Sequence, residues 1–138
     1  MLDLYAGVGL FSLATAHAGH GPVVAVEGDH FSAADLRRNA ATRDDVSVRG
    51  EPVERYLGAA TKAATIIVDP PRTGLSKDAL AGVAAVRAAV LIYVSCDIAT
   101  LARDARWLVD AGYRLTGVRA FDLFPNTAHV ETVIAFAR

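Results

Sequence analysis

Short apolar runs alternate with longer amphipathic stretches along the chain. The apolar runs have the length and composition of strands, and the stretches between them have helical composition and length. This alternation predicts βαβ units, and therefore a mainly parallel sheet with helices on both faces. Strands are predicted over residues 1–5, 23–26, 46–48, 64–68, 89–94, 114–121 and 130–136. Helices are predicted over residues 11–18, 32–41, 78–86 and 98–111.

The last two predicted strands follow one another without a helix between them. The turn-forming sequence Phe124-Pro125-Asn126 links them and suits an antiparallel pair at the sheet edge. The predicted fold class is therefore α/β, with a seven-stranded mixed sheet. No repeat, low-complexity tract or linker divides the sequence, so residues 1–138 are expected to form one domain.

The composition agrees with a single packed domain. Of the 138 residues, 53% are hydrophobic and 21% are charged, which is enough apolar material for one substantial core. The longest apolar runs are strand-sized and fall short of the roughly 20 residues that a membrane helix requires. The single cysteine cannot form an internal disulfide, and the sequence does not begin with a recognisable secretion signal. We therefore expect a cytoplasmic, reducing environment.

The formal net charge of −1 is relevant to whether this chain binds nucleic acid. A domain that holds RNA by itself usually carries a basic surface that neutralises phosphates. Either nucleic acid is not the partner, or another domain supplies most of the affinity. The charge alone leaves both possibilities open.

The motif DLYAGVGLF follows the first strand and leads into the first predicted helix. Its two glycines, Gly7 and Gly9, allow a tight turn and a close approach of the backbone to a ligand. Ser12 stands where the phosphate-binding motif of dinucleotide enzymes has its third glycine, which argues against a dinucleotide. Asp3 and Tyr5 precede the glycines, and the acidic Asp3 suits a cationic cofactor without phosphate, such as S-adenosylmethionine. A plain strand-to-helix turn is the alternative interpretation.

Two further carboxylates are predicted at the same edge of the sheet. Glu27 follows the second strand, about 20 residues beyond the glycine turn, where a carboxylate can accept hydrogen bonds from both ribose hydroxyls. Asp69 opens the segment DPPRTG after the fourth strand, and ligands of open α/β sheets bind at the carboxyl ends of strands. The prolines stiffen this loop, which could hold Asp69, Pro70 and Arg72 near the cofactor and a substrate. A rigid turn without a binding role is equally compatible with the segment.

Candidate catalytic residues lie at the ends of two other strands. Cys96 precedes the last predicted helix, and a helix N-terminus stabilises a thiolate, although a lone cysteine is more often a small buried apolar residue. The segment FDLFPNTAHVE brings Glu131 to the start of the last strand, where its carboxylate could act as a base. Glu131 could instead be a solvated edge-strand residue, and His129 a turn cap.

Taken together, four segments resemble the signatures of the RNA (uracil-5-)-methyltransferases that modify tRNA and ribosomal RNA. They are, in order, DLYAGVGLFSL, DPPRTG, YVSCDIATLARD and FDLFPNTAHVE. The resemblance implies a Rossmann-like class I S-adenosylmethionine-dependent methyltransferase fold with strand order 3-2-1-4-5-7-6. It also implies S-adenosyl-L-methionine as the cofactor and an RNA, either tRNA or rRNA, as the partner.

The resemblance further implies a role for each site residue. Glu27 contacts the ribose, and Asp69 lies near the cofactor and the target base. Cys96 adds to C6 of uracil and makes C5 nucleophilic, and Glu131 then removes the C5 proton. The base has to be flipped out of any stack for this reaction. The expected catalytic residues are Cys96 and Glu131; the cofactor-binding residues are Asp3, Tyr5, Gly7, Gly9, Glu27 and Asp69; the substrate-binding residues are Pro70, Arg72, Phe124 and His129; no metal ligand is expected.

Two features depart from the family pattern. Family members usually carry an RNA-binding β-barrel before the cofactor loop, which this sequence lacks, so we expect RNA binding to need an additional domain or partner. Asp97-Ile98 stands where the family generally has Asn-Pro. The carboxylate of Asp97 can cap the following helix, but its charge opposes thiolate formation at Cys96.

Three other interpretations stay open at this point. The DPP sequence resembles a signature of amino-group methyltransferases, although Arg72 replaces the aromatic residue of that signature. A dehydrogenase is disfavoured by Ser12. A non-catalytic subunit would bind adenosylmethionine without transferring its methyl group.

Overall fold

The structure is a computed structural model that describes residues 1–59, 62–123, 125–127 and 129–138. Its strands are β1 (Leu2–Leu4), β2 (Val23–Val26), β3 (Val46–Arg49), β4 (Thr65–Val68), β5 (Val90–Ser95), β6 (Arg114–Phe121) and β7 (Glu131–Ala137). Its helices are α1 (Leu10–His17), α2 (His30–Asn39), α3 (Val53–Leu57), α4 (Lys77–Val86) and α5 (Ile98–Asp110). Within these ranges, none of the helices has the length and apolar character needed to cross a membrane.

The strands form one seven-stranded sheet in the order β3-β2-β1-β4-β5-β7-β6. Strands β1 to β5 run parallel to one another, because helices return the chain to the same end of the sheet after each strand. β7 runs antiparallel to both β5 and β6. The predicted mixed sheet, its implied strand order and the antiparallel pair at one edge are thus confirmed.

The main core lies on one face of the sheet. Alternate residues of the central strands, such as Leu4, Ile66 and Tyr93, are buried there against α3, α4 and α5. α1 and α2 cover the opposite face at β1 to β3, where a smaller cluster includes Ala25 and Leu36. Helices therefore lie on both faces, as predicted, although the two cores differ greatly in size.

Two local features differ from the sequence prediction. The sequence does not predict α3, because a five-residue helix is too short to show a helical period. Val53 and Leu57 nevertheless lie on the same side of α3 and are buried in the main core. α2 begins earlier than predicted because the Asp29 side chain accepts a hydrogen bond from the backbone N–H of Ser32 at 2.8 Å and caps the helix.

The packing of β7 leads to a test of the core. Phe136 is fully buried, and its ring meets that of Tyr113 edge to face with centroids 6.4 Å apart. Phe136→Ala should lower the free energy of unfolding by about 3–5 kcal/mol, because it removes buried surface and leaves a cavity. Phe121→Ala on the neighbouring strand is the control, since Phe121 is 44% exposed and should cost less than about 1 kcal/mol. Urea unfolding of both variants measures the difference, and similar losses would contradict the assignment of the core.

Candidate active site

Three predicted cofactor residues line one crevice at the carboxyl edge of the sheet. The register pairs the last residue of β1 with the last residues of β2 and β4. The next residue on each strand is Tyr5, Glu27 or Asp69, and all three line a crevice of about 440 Å³. The other lining residues are Gly28, Asp29, Pro52, Val53, Glu54 and Pro71. The structure therefore brings together side chains that are widely separated in sequence.

The side chain of Glu27 is hydrogen-bonded to the backbone of the glycine turn. Its Oε2 accepts a hydrogen bond from the N–H of Gly7 at 2.8 Å, and its Oε1 accepts one from the N–H of Asp29 at 2.6 Å. Both oxygens keep a further lone pair, so Glu27 can still accept hydrogen bonds from a ligand. A Cβ at Gly7 would meet no atom within 4 Å, whereas a Cβ at Gly9 would collide with Leu36 of α2. There is thus space for a ligand beside Gly7. At position 9, glycine is needed because a larger residue would collide with α2.

Asp3 is completely buried between β1 and α1. Its Oδ2 accepts a hydrogen bond from the Ser12 hydroxyl, while its Oδ1 has no partner within the described part of the chain. Burial raises the pKa of Asp3 to about 6, and the Ser12 bond offsets this only in part. A buried carboxylate oxygen without a partner is costly, and a nearby cationic group would reduce that cost. This arrangement fits a sulfonium cofactor with a cationic amino group.

The antiparallel pairing of β5 with β7 brings the two predicted catalytic residues to one place. Ser95 pairs with Thr132, so the next residue outward on each strand is Cys96 or Glu131. Cys96 is a free thiol of intermediate exposure. The Glu131 side chain is also exposed to an intermediate degree. Desolvation raises the pKa of Glu131, which is the direction that makes a carboxylate a better proton acceptor near neutral pH.

Asp69 connects the crevice to this pair. It keeps contact with solvent, yet partial desolvation of its carboxyl group and the negative charge of Glu131 raise its pKa to about 6. The charge of Glu131 is therefore near enough to affect Asp69. The crevice and the Cys96–Glu131 pair lie at the same edge of the sheet.

Asp97 caps α5 directly after the cysteine, as the sequence predicts. Its Oδ1 accepts a hydrogen bond from the backbone N–H of Thr100 at 2.8 Å. This bond lowers the pKa of Asp97, with a smaller contribution from the nearby His129. Asp97 therefore stays ionised beside Cys96. The charge interaction with Asp97 places the predicted substrate residue His129 nearby. The backbone N–H of His129 donates to Thr127 Oγ1 at 3.2 Å.

The remaining predicted substrate residues are placed differently from one another. Pro70 is buried, whereas Arg72 is exposed and its carbonyl oxygen accepts a hydrogen bond from Thr100 Oγ1 at 3.0 Å. Phe124 lies outside the described residues. The substrate-binding roles of these residues stay predictions.

Sequence reasoning missed two polar residues of the crevice, Asp29, which caps α2, and Glu54. Glu54 Oε1 accepts hydrogen bonds from the Tyr5 hydroxyl at 3.4 Å and from Ser76 Oγ at 2.7 Å. Glu54 lies on α3, which the sequence does not predict, so no motif draws attention to it. Burial, together with the charge of Glu54, raises the pKa of Tyr5.

The strand order and the crevice define a Rossmann-like class I methyltransferase fold. A solved structure with this fold is that of the Pyrococcus abyssi tRNA (uracil-54, C5)-methyltransferase in complex with S-adenosyl-L-homocysteine. That chain is 33% identical to this one, the superposition covers 99% of this chain and 33% of that chain, and the TM-score is 0.87.

The sequence profile of the tRNA (Uracil-5-)-methyltransferase family matches residues 52–138. The chain belongs to this family, and the resemblance inferred from its four motifs is confirmed. An RNA methyltransferase of Bifidobacterium longum is 38% identical over 99% of this chain and 33% of the relative. The 23S rRNA (uracil(1939)-C(5))-methyltransferase of Pseudomonas putida is 39% identical over 99% of this chain and 31% of the relative. The chain thus spans about a third of the length of these relatives.

The buried Asp3 makes the stability of the protein depend on pH. Its raised pKa means that the folded protein binds this proton more tightly, so the stabilisation is complete below the usual 3.8 and is lost as the pH rises through about 6. Asp3→Asn removes this loss, so its stability relative to the parent should increase by about 2 kcal/mol between pH 4 and pH 7. Guanidinium unfolding at a series of pH values measures the difference.

A matched control is Asp35→Asn, which removes the same charge from an exposed ion pair with Arg38. Its free energy of unfolding should stay within about 0.5 kcal/mol of the parent's at every pH. A parallel pH dependence for Asp3→Asn and the parent would show that Asp3 has an ordinary pKa.

Proposed function

We propose that this chain transfers a methyl group from S-adenosylmethionine to C5 of a uridine in RNA. The observation that carries the proposal is the pairing of Ser95 with Thr132, which sets Cys96 and Glu131 at adjacent strand ends. The family membership supports the reaction class, and the S-adenosyl-L-homocysteine complex of the Pyrococcus abyssi relative supports the cofactor.

The crevice at the ends of β1, β2 and β4 is the proposed cofactor site. Glu27 would accept hydrogen bonds from the ribose hydroxyls with the acceptor capacity that its two backbone bonds leave. Asp3 and Asp69 supply negative charge that favours a cation in this region. When bound, adenosylmethionine supplies an electrophilic methyl group to C5 and leaves as S-adenosylhomocysteine.

Cys96 and Glu131 perform the remaining steps of the proposed reaction. The Cys96 thiolate forms a bond to C6, and the displaced electron pair makes C5 nucleophilic toward the methyl group. After methylation, Glu131 takes the proton from C5. The C6–S bond then breaks, the thiolate leaves and the double bond between C5 and C6 is restored. The nucleophile and the base are separate residues, so their losses should have different consequences.

The net charge of −1 bears on how RNA is held. Neutralisation of phosphates supplies most of the affinity of many RNA-binding domains, and this chain offers little excess positive charge for it. We therefore propose that an additional domain or partner contributes to RNA binding. The relatives, which are about three times as long, are consistent with this division.

RNA that contains 5-fluorouridine tests the proposed mechanism. Fluorine at C5 blocks the elimination step, so the parent chain with adenosylmethionine should form a protein–RNA adduct that survives denaturing electrophoresis. Cys96→Ser should form none. With unmodified RNA, Glu131→Gln should retain the adduct because the C5 proton is not removed.

Calorimetric titration with adenosylmethionine serves as the control for both variants, since neither residue lines the crevice. Cofactor binding without any adduct in the parent chain, when RNA is in an excess that compensates for weak binding, would instead favour a non-catalytic, cofactor-binding role. An adduct that persists in Cys96→Ser would exclude Cys96 as the nucleophile.

Glu27→Gln tests the cofactor site separately from the chemistry. The amide of glutamine cannot accept from both the Gly7 and the Asp29 N–H groups, and it also loses a charge-assisted acceptor for the ribose. The dissociation constant of adenosylmethionine should rise about tenfold or more, equivalent to about 1.4 kcal/mol. Glu51→Gln is the matched control, because Glu51 does not line the crevice. Unchanged affinity in Glu27→Gln would remove Glu27 from the cofactor site.

A further inference from the structure

The loop after β4 is bound to α5 by a set of hydrogen bonds that the proposed chemistry does not use. Thr100 Oγ1 donates to the carbonyl oxygen of Arg72 at 3.0 Å. Arg103 Nη2 donates to the carbonyl oxygens of Thr73 at 3.0 Å and Leu75 at 3.3 Å. The backbone of the loop is thus fixed to α5 at several successive positions.

Asp104 lies at the centre of this arrangement and is completely buried. Its Oδ2 accepts hydrogen bonds from the backbone N–H of Leu75 at 2.7 Å and from the Tyr93 hydroxyl at 2.6 Å. Its Oδ1 accepts one from Arg103 Nε at 2.8 Å. A single carboxylate therefore joins three segments, namely the loop after β4, strand β5 through Tyr93, and α5 itself.

Gly74 shows how closely the loop approaches this carboxylate. Its φ is +75°, and a Cβ there would lie 2.5 Å from Asp104 Oδ2 and 2.6 Å from Arg103 Nη2. A side chain would therefore have to displace the carboxylate or the guanidinium. The glycine that ends the DPPRTG segment is thus required by contact with Asp104 as well as by its backbone conformation.

The three segments that Asp104 joins also carry residues of the proposed site. Asp69 begins the loop, and Cys96 lies between β5 and α5. We propose that Asp104 is a positioning residue, which holds the loop after β4 against β5 and α5 so that Asp69 and Cys96 keep a fixed separation. This inference rests on the proposed function.

The energetic cost of burying the Asp104 carboxylate supports its role in positioning the loop after β4. An apolar side chain could attach the loop to α5 without the desolvation penalty that Asp104 incurs. Hydrogen bonds, unlike apolar contacts, have a required direction, so Asp104 with its donors selects one loop conformation. A displacement of about 1 Å between reacting groups can reduce a rate about a hundredfold, which makes such selection valuable in an active site.

Asp104→Asn tests the proposal because it preserves the shape of the side chain. The amide has one acceptor oxygen in place of two. Either Arg103 Nε or the Leu75 N–H therefore loses its hydrogen bond to residue 104. The kcat for methyl transfer to RNA should fall about tenfold or more, while KM for RNA and the dissociation constant of adenosylmethionine change less than about threefold. The Leu75 amide should exchange with solvent deuterium at least about tenfold faster, while the Leu4 amide on β1 keeps its rate. Thr100→Val, which breaks only side-chain bonds of Thr100, should act in the same direction with a smaller effect.

Asp110→Asn is the matched control, because it removes the same charge from the exposed Arg106–Asp110 pair on the same helix. It should leave kcat and the Leu75 exchange rate unchanged. A parent-like kcat in Asp104→Asn would overturn the proposal, as would a loss of kcat accompanied by equally faster exchange at Leu4. A parent chain that forms neither product nor adduct with RNA in an excess that compensates for weak binding would overturn the proposed function and this inference with it. An active parent with an equally active Asp104→Asn variant overturns the inference alone.

Discussion

The pairing direction of β7 is the constraint on which the candidate site depends. Four parallel strands, β1, β2, β4 and β5, deliver residues that follow their carboxyl ends to one edge of the sheet. Glu131 stands at the amino end of β7, and it reaches that edge only because β7 is antiparallel to β5. A parallel strand of the same length would carry it to the opposite edge, roughly 20 Å away at the rise of a β-strand. The absence of a helix between β6 and β7 in the sequence therefore has a direct chemical consequence.

The sequence predicted the parts of the structure that local patterns determine. Each strand appears as an apolar run, and Glu27, Asp69 and Cys96 follow strand ends, so their convergence could be predicted from parallel pairing alone. The strand order depended on the resemblance of the motifs to a family, because periodicity does not specify which strands pair. The partners of the site residues could not be predicted. Glu54 meets Tyr5, and Asp104 meets Leu75, only after distant segments have packed together.

Two buried aspartates, Asp3 and Asp104, differ in their hydrogen bonding and are suited to different functions. Asp104 accepts hydrogen bonds on both oxygens, so its charge is compensated within the protein. Asp3 has Ser12 on one oxygen and no partner within the described residues on the other, and burial raises its pKa. A fully compensated carboxylate fixes structure, whereas an incompletely compensated one can interact with a ligand. The first is therefore suited to hold a loop and the second to favour a cationic cofactor.

Asp69 and Glu131 owe their raised pKa values mainly to the fold. Partial desolvation, together with the negative charge of Glu131, raises the pKa of Asp69, and desolvation raises that of Glu131. In the proposed reaction, methyl transfer neutralises the sulfonium and the negative charge of the C6 adduct together, so the net charge beside these carboxylates does not change. The proposed proton acceptor is therefore strengthened by the desolvation that the fold imposes on Glu131, and not by a change of charge during the reaction.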